Sequence, residues 1–389
     1  MKKIMFWAEC TIGVIQAFQS LGYEIQKYED YDILKDEEKK TEWLFDNTKN
    51  IDIDLFFSFN FIVGVSKWCH ENGIKYISWS VDSPHLPLYS RMTDYETNRI
   101  FIFDYYEYTY LRNLGVKNIY YFPLATDVVY LHDRALSVVS ERNITDKYIQ
   151  DIAFMGNLYD KTPHNMYDQV KYLPEYVRGY IDGLLKAQTD LWGMDLFKTD
   201  TLREIFPELQ KYIKVELENK YQDDIYMMFV DRILCMKSAQ IERIKMCELL
   251  SDKYDFSLYS GSDTSCNKKI RNKGYINYLD EMPCMFNRTK ININLNLHCI
   301  STGIPLRVLD ILACEGFCLT NYQTEIEEYF EDGKDLVIYT DFDDMCSKID
   351  YYLSHDQERK QIAQNGYNKV REKFDYRICI PKMMEMIHE

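Results

Sequence analysis

Short apolar segments that read as buried strands alternate with helix-spaced segments twice along this chain, and glycine or proline closes most of them. That alternation limits the fold more than any single motif does. In the first half, residues 3–7, 23–28, 53–59, 74–80, 100–103 and 119–122 read as strands. Residues 14–21, 63–71 and 106–114 have helical spacing and stop at Gly22, near Gly73 and at Gly115. Glycine just past a helix end suits the left-handed backbone that a C-terminal cap needs. Strands separated by helices imply a parallel sheet with crossover helices.

The pattern lapses over residues 126–150 and restarts at Asp151-Ile-Ala-Phe-Met-Gly156. A chain of 389 residues is long enough for two such units. The expected organisation is a first Rossmann-like domain over 1–125, a linker over 126–150 and a second domain over 151–375. Within the second, about 160–251 has helical periodicity and few strand signals, so it reads as a helical insertion. Residues 256–259, 291–295 and 317–320 read as strands, 305–315, 343–353 and 357–374 as helices, and 376–389 as a tail. Two α/β halves joined by a linker predict a cleft between lobes, with the site at the carboxyl ends of the strands.

Charge narrows the function. There are 46 Lys and Arg against 62 Asp and Glu, a net charge of -16. Nucleic acids and anionic membranes need a basic footprint, so neither is the expected partner. The opening MKKIMFWAEC has a short apolar run broken by Glu9, which argues against an export signal. No run approaches the roughly 20 apolar residues that span a bilayer. The expectation is a cytoplasmic protein without an integral membrane segment. The 11 cysteines lack paired C-x-x-C spacing and are read as free buried thiols rather than zinc ligands.

The most informative stretch runs from Asn294 through His298, Thr302, Gly303, Pro305, Arg307 and Asp310 to Gly316. A strand enters a glycine-containing loop, and Pro305 suits the first turn of the helix that follows. Free N–H groups at a helix N-terminus suit a diphosphate. Arg307 can hold phosphate oxygens, and Asp310, one turn on, can accept from ribose hydroxyls. The plain alternative is an Arg307–Asp310 pair within the helix at the protein surface.

Residues 307–321, Arg-Val-Leu-Asp-Ile-Leu-Ala-Cys-Glu-Gly-Phe-Cys-Leu-Thr-Asn, resemble the R-x-F-E-A-x-A-C-G core of group 1 glycosyltransferases, the CgeB-like branch above all. Ile77-Ser-Trp-Ser-Val-Asp82-Ser-Pro84 resembles that branch's W-x-x-D-x-P element. Phe103-Asp104, residues 121–127, Asp151 to Asn157 and residues 325–333 also fit. The resemblance implies a GT-B fold: two Rossmann-like domains facing a cleft, with the helical insertion in the C-terminal half. It implies metal-independent transfer of a sugar, hexosyl or N-acetylhexosaminyl, from a nucleotide-sugar, a UDP-sugar being favoured. That donor is a co-substrate, and no cofactor is expected. The acceptor would be a protein, glycan or small molecule, as in bacterial glycan or protein glycosylation. Donor contacts would come from Gly156, Asn157, His298, Thr302, Gly303, Arg307 and Asp310. The sequence departs from the family pattern in three places. Asp310 replaces the usual glutamate, Glu315 occupies a small-residue position, and Thr302 stands eight residues before the ribose acid where a glutamate is common.

Asp82 follows a buried strand and precedes Pro84, at a sheet edge where a base could deprotonate an acceptor hydroxyl; the alternative is a turn-capping aspartate. His85 is a second candidate base, and His298 is either a satisfied core histidine or a donor contact. Asp52-Ile-Asp54 has the form of a metal-binding D-x-D but begins a strand. Two other functions fit the same architecture: a sugar-nucleotide epimerase, and a catalytically silent nucleotide-sugar-binding protein.

Overall fold

The computed structural model describes residues 2–7, 12–28, 37–48, 52–137, 148–160, 167, 173–192, 195–212, 225–265 and 267–387. Its N-terminal lobe is a six-stranded sheet of β1 (Lys2–Trp7), β2 (Tyr23–Tyr28), β3 (Leu55–Phe59), β4 (Lys75–Ser80), β5 (Asn98–Ile102) and β6 (Ile119–Tyr121), in the order β2-β1-β3-β4-β5-β6. Its C-terminal lobe is a five-stranded sheet of β7 (Gln150–Met155), β8 (Phe256–Tyr259), β9 (Thr289–Asn294), β10 (Cys318–Asn321) and β11 (Val337–Tyr339), in the order β11-β10-β9-β7-β8. Every pairing is parallel.

Local chemistry explains these elements. In β4 (KYISWS) the last five residues are buried, which is the near-continuous burial a parallel sheet covered on both faces demands. The helix Val63–Asn72 ends at Gly73, whose φ of 66° lets its N–H reach back to the carbonyls of Cys69 and His70. Trp79, Phe57, Phe101 and Phe103 fill the N-terminal core; Val308, Leu309, Leu312 and Ala313 fill its C-terminal counterpart. The nine described cysteines are free and buried.

Three expectations about organisation change. The linker holds a helix, Val128–Ser137, packed on the Met282–Arg288 and Leu306–Ala313 helices. Its buried Val128, Leu131 and Ala135 sit three and four apart, a period obscured by the polar residues between them. Residues 138–147 lie outside the described residues. The expected tail is a helix, Tyr376–Met386, that crosses back and packs on the Ile12–Ser20 helix of the first lobe. The two crossings are tied side by side: Thr126 N–H donates to Phe374 O at 2.9 Å and Tyr376 N–H to Thr126 O at 3.2 Å. The helical insertion is also shorter than expected. Its last helix, Met236–Lys253, is the crossover between β7 and β8, so only what precedes it is added to the lobe.

That insertion comprises helices Glu175–Thr189 and Asp200–Gln210, a single-turn helix Leu196–Lys198 and the turns at Ile225–Phe229 and Val230–Cys235 that run on without a break into Met236–Lys253, with no strand among its described residues. It packs against the N-terminal lobe, where Phe206, Tyr226 and Phe229 share one core with Phe61, Leu88 and Leu111. Arg203 lies between two tyrosine rings, 5.2 Å from Tyr110 and 4.3 Å from Tyr226. The insertion therefore braces one lobe against the other.

Candidate functional site

Both sheets point their carboxyl edges at the junction between the lobes, where sites form in open α/β sheets. On the C-terminal side, β9 runs into the loop 295–305, and the helix Leu306–Ala313 follows Pro305. On the N-terminal side stand the loops after β3, β4 and β5.

The loop and the N-terminal lobe meet at Asp104, a fully buried aspartate just past β5. Its Oδ2 accepts Ser301 N–H at 2.6 Å and Ser83 Oγ–H at 3.0 Å. Its Oδ1 accepts Thr302 Oγ–H at 2.8 Å and Tyr106 N–H at 3.0 Å, so it also caps the helix Tyr105–Asn113. Glu325 answers from the other lobe: its carboxylate accepts Tyr105 N–H at 3.1 Å and Tyr121 O–H at 2.7 Å. Burial pushes the Glu325 carboxyl up, with the Tyr121 O–H and Tyr105 N–H hydrogen bonds working against it. Gly303 lies against Phe103. A Cβ there would come within 2.6 Å of the ring and 3.0 Å of the Phe103 carbonyl oxygen, so only glycine permits this approach. Thr302 and Gly303 thus sit at the junction, in contact with the opposite lobe.

The insertion supplies Lys198. Its ammonium donates to Cys299 O at 2.9 Å and to Ser301 Oγ, stands 3.4 Å from Asp195 and lies 4.8 Å over the Tyr106 ring. Burial lowers the pKa of this side chain, but Asp195 and Asp104 outweigh it and the net displacement is upward, so Lys198 is a charged buried lysine.

The polar stripe of the Leu306–Ala313 helix is placed differently from the sequence expectation. Asp310 is buried, and it accepts Thr126 Oγ–H at 2.9 Å and Tyr278 O–H at 2.9 and 3.0 Å. Burial raises its pKa, with Arg307 and the two hydroxyls opposing. Its oxygens fasten the linker and the segment after β8 to the helix. Arg307 pairs with Asp310 at 3.6 Å, stacks 5.5 Å over Phe286 and stays partly open. Glu315, at φ 55°, ends this helix in the left-handed region, and its carboxylate meets His132 Nε2 at 3.0 Å.

His298 is a fastener as well. Its Nε2 meets Glu242 at 2.6 Å and its Nδ1 lies 3.3 Å from the Gln188 amide nitrogen. Gln188 is fixed by accepting Leu196 N–H at 2.6 Å, so its NH2 must donate to Nδ1 and the ring proton must sit on Nε2. Burial disfavours a charged ring, while Glu242 outweighs that and draws the pKa up. The charged form needs Gln188 to turn away, so the fixed amide makes the neutral tautomer the better description. Neither nitrogen is left for a donor.

At the end of β7, Gly156 packs under Phe154 and Arg243: a Cβ there would lie 2.8 Å from the Phe154 ring. Asn157 folds its side chain onto Tyr159 N–H at 2.6 Å, accepts from Ser262 Oγ at 3.1 Å, and gives its carbonyl to Arg243 at 2.6 Å.

In the N-terminal lobe, Asp82 is exposed just past β4 and takes a hydrogen bond from Asn60 Nδ2 at 2.8 Å. His85 is buried. Its Nε2 lies 2.9 Å from Phe61 O, and its own N–H donates to Glu107 at 2.8 Å. Burial lowers its pKa, with the Phe61 hydrogen bond opposing. The ring is held in the core by backbone groups of the segment after β3. Glu107 is pushed up to about 8 by burial and Asp231 to about 6, again by burial. Asp52 and Asp54 stand at the opposite, amino edge of β3, tied to Lys3, near a 470 Å³ cavity that opens away from the lobe junction.

Sequence reading missed Asp104, Glu325 and Lys198 as site residues. Asp104 carries a local signal, a helix-capping aspartate directly after a strand, whereas nothing near Lys198 marks it.

Comparison with known proteins agrees with this architecture. Residues 243–385 match a family described as glycosyl transferase-like. No curated protein sequence matches the chain. Among solved structures, HepE of Anabaena in complex with UDP-glucose is similar over 100% of both chains, with a TM-score of 0.51 and 9% identity. The sucrose-phosphate synthase of Thermosynechococcus elongatus is similar over 100% of this chain and 98% of its own, with a TM-score of 0.51 and 10% identity. A UDP-forming α,α-trehalose-phosphate synthase from Burkholderia xenovorans covers 100% of both chains, with a TM-score of 0.53 and 9% identity. The fold is that of the GT-B glycosyltransferases, and the glycosyl transferase-like match falls on its C-terminal lobe and the helix that follows it.

Proposed function

We propose that this chain transfers a sugar from a nucleotide-sugar, a UDP-sugar in preference to others, to an acceptor hydroxyl at the junction of its lobes. The observation that carries this reading is the coincidence of the glycosyl transferase-like match with the lobe whose β9 loop presents Ser301 N–H, Thr302 and Gly303 to the junction. UDP-glucose in HepE supports the choice of nucleotide. The CgeB-like motifs support that branch, and the acceptor would be a glycan, protein or small molecule.

Each group then has a role. The diphosphate leaving group gathers charge as the glycosidic bond breaks. Preorganised N–H donors and cations at the β9 loop meet that charge, with partly open Arg307 at its flank and Gly156 and Asn157 at the neighbouring strand end. This serves the leaving group without a divalent ion. Asp82, exposed and oriented by Asn60, takes the acceptor proton. His85 acts through position, holding the segment after β3 by its contact with Phe61. His298 and Asp310 hold the insertion and the linker, and so shape the site from behind.

A second reading has one observation in its favour. Asp310 is sealed by Thr126 and Tyr278, which suits a nucleotide-sugar-binding protein without turnover. Thermal shift against UDP, GDP, dTDP and CMP sugars tests the donor. The proposal expects the largest rise with a UDP-sugar, persisting in EDTA, and release of UDP on longer incubation. A shift without release favours the silent binder; the absence of any shift sinks both.

A further inference from the structure

Asp104 is a carboxylate of one lobe seated on donors of the other. Two donors of the C-terminal lobe meet there, Ser301 N–H at 2.6 Å and Thr302 Oγ–H at 2.8 Å. Beside them the Lys198 ammonium bonds Ser301 Oγ and pairs with Asp195 at 3.4 Å, and the nearby Asp104 charge helps to keep it protonated. Lys198 has 5% of its side chain exposed and reaches this point from the helical insertion, outside the segment that matches the glycosyl transferase-like family. A buried backbone N–H and a hydroxyl on one carboxylate, with a charged lysine on the serine beside them, make an anion site, and here the protein supplies the anion itself.

We propose that Lys198, Ser301 and Thr302 form the seat of the donor's diphosphate, and that Asp104 occupies it as an internal stand-in while the lobes are shut. Asp104 leaves when a diphosphate arrives, because both anions need the same Ser301 N–H and the same Thr302 hydroxyl. Lys198 keeps Asp195 at 3.4 Å throughout, and the incoming anion replaces the Asp104 charge near it. Asp104 then keeps its bonds to Ser83 Oγ and Tyr106 N–H within its own lobe. Glu325, seated on Tyr105 N–H and Tyr121 O–H, is a second contact between the lobes that must loosen in the same motion. This deepens the donor-binding reading by assigning residues that the family match does not cover.

The test is calorimetry of the full chain with inorganic pyrophosphate and with UDP, on the wild type, Lys198→Met, Lys198→Arg and Asp104→Asn. Removing the cation should weaken both ligands by about tenfold or more, the worth of a hydrogen bond to a charged group. Lys198→Arg should restore most of that loss. Asp104→Asn should tighten both ligands, since they no longer displace a carboxylate. Unchanged affinity in Lys198→Met, or weaker binding in Asp104→Asn, overturns the proposal. Should Lys198→Met fail to fold by its thermal melt, Asp104→Asn decides alone: tighter binding supports the seat, and equal or weaker binding overturns it. Turnover of UDP-glucose separates this from the functional reading. Release of UDP with affinities indifferent to these variants leaves a glycosyltransferase whose diphosphate sits elsewhere. The expected affinity pattern without release leaves an anion seat in a protein that does not transfer sugar.

Discussion

The loop at residues 301–303 and the helix at 306–313 adjoin in sequence, yet they do opposite work. The helix carries the charged pair, Arg307 and Asp310, and spends Asp310 on Thr126 and Tyr278 of its own surroundings. The loop carries no charge and offers Ser301 N–H, Thr302 Oγ–H and a bare Gly303 to the opposite lobe. A charged stripe on an otherwise apolar helix is cheapest to bury when its charges meet each other and nearby hydroxyls. A loop before a helix has unspent N–H groups and must find anions elsewhere. Charge on a helix is therefore a weaker pointer to function here than a polar loop with a glycine.

Four substitutions sharpen or break that contrast. The largest effect is expected across the junction from the loop, where Asp82→Asn should cut transfer by roughly 10²- to 10⁴-fold, the usual worth of a general base. UDP affinity should stay near wild type. A wild-type rate returns Asp82 to the status of a turn residue. On the helix, Asp310→Ala should lower stability by about 2–4 kcal/mol in urea unfolding, since it strands two hydroxyls and Arg307. A loss of nucleotide affinity with stability intact would restore Asp310 to the donor site. Next comes pH. Glu107 and Asp231 have folded pKa values of about 8 and about 6, above the ordinary 4.5 and 3.8. Their raised values favour the folded state at low pH, and that contribution drains away as pH climbs from about 4 to about 8. Stability should fall over that window, by up to about 1.4 kcal/mol per pH unit for each group, taking the thermal midpoint down with it, and Glu107→Gln should flatten the upper part. A midpoint that climbs toward pH 8 contradicts this. The smallest effect belongs to Asp52→Asn. Its side chain is exposed and bonded to Lys3 at the amino edge of the sheet, so rate and UDP affinity should not change; a fall in either would revive a metal role for the Asp52–Asp54 pair.

Strand–helix alternation made both sheets legible, because buried parallel strands and glycine stops leave a local trace. Most of β4 and the Val63–Asn72 helix can be read that way. The crossing helices were not legible. Val128–Ser137 and Tyr376–Met386 owe their place to partners hundreds of residues away, such as Arg377 meeting Asp127 at 2.9 Å. The site divides along the same line. Thr302 and Gly303 follow from a loop before a helix, and Asp82 from a strand end. Lys198 lies in an insertion whose sequence carries no sign of the cleft, and Asp104 acquires its meaning only once the lobes meet. His85 and His298 look alike as candidates in sequence; the structure gives His298 two occupied nitrogens and His85 a backbone-bound ring.

The most direct test of the central claim is incubation of the wild-type chain with UDP-glucose and UDP-N-acetylglucosamine, each labelled in the sugar, with release of UDP followed over hours in EDTA. The account predicts UDP release with at least one donor, as slow hydrolysis or as transfer, abolished in a variant carrying Asp82→Asn and Lys198→Met together. Release that depends wholly on added manganese, or intact donor in every tube with no bound nucleotide by calorimetry, would contradict it.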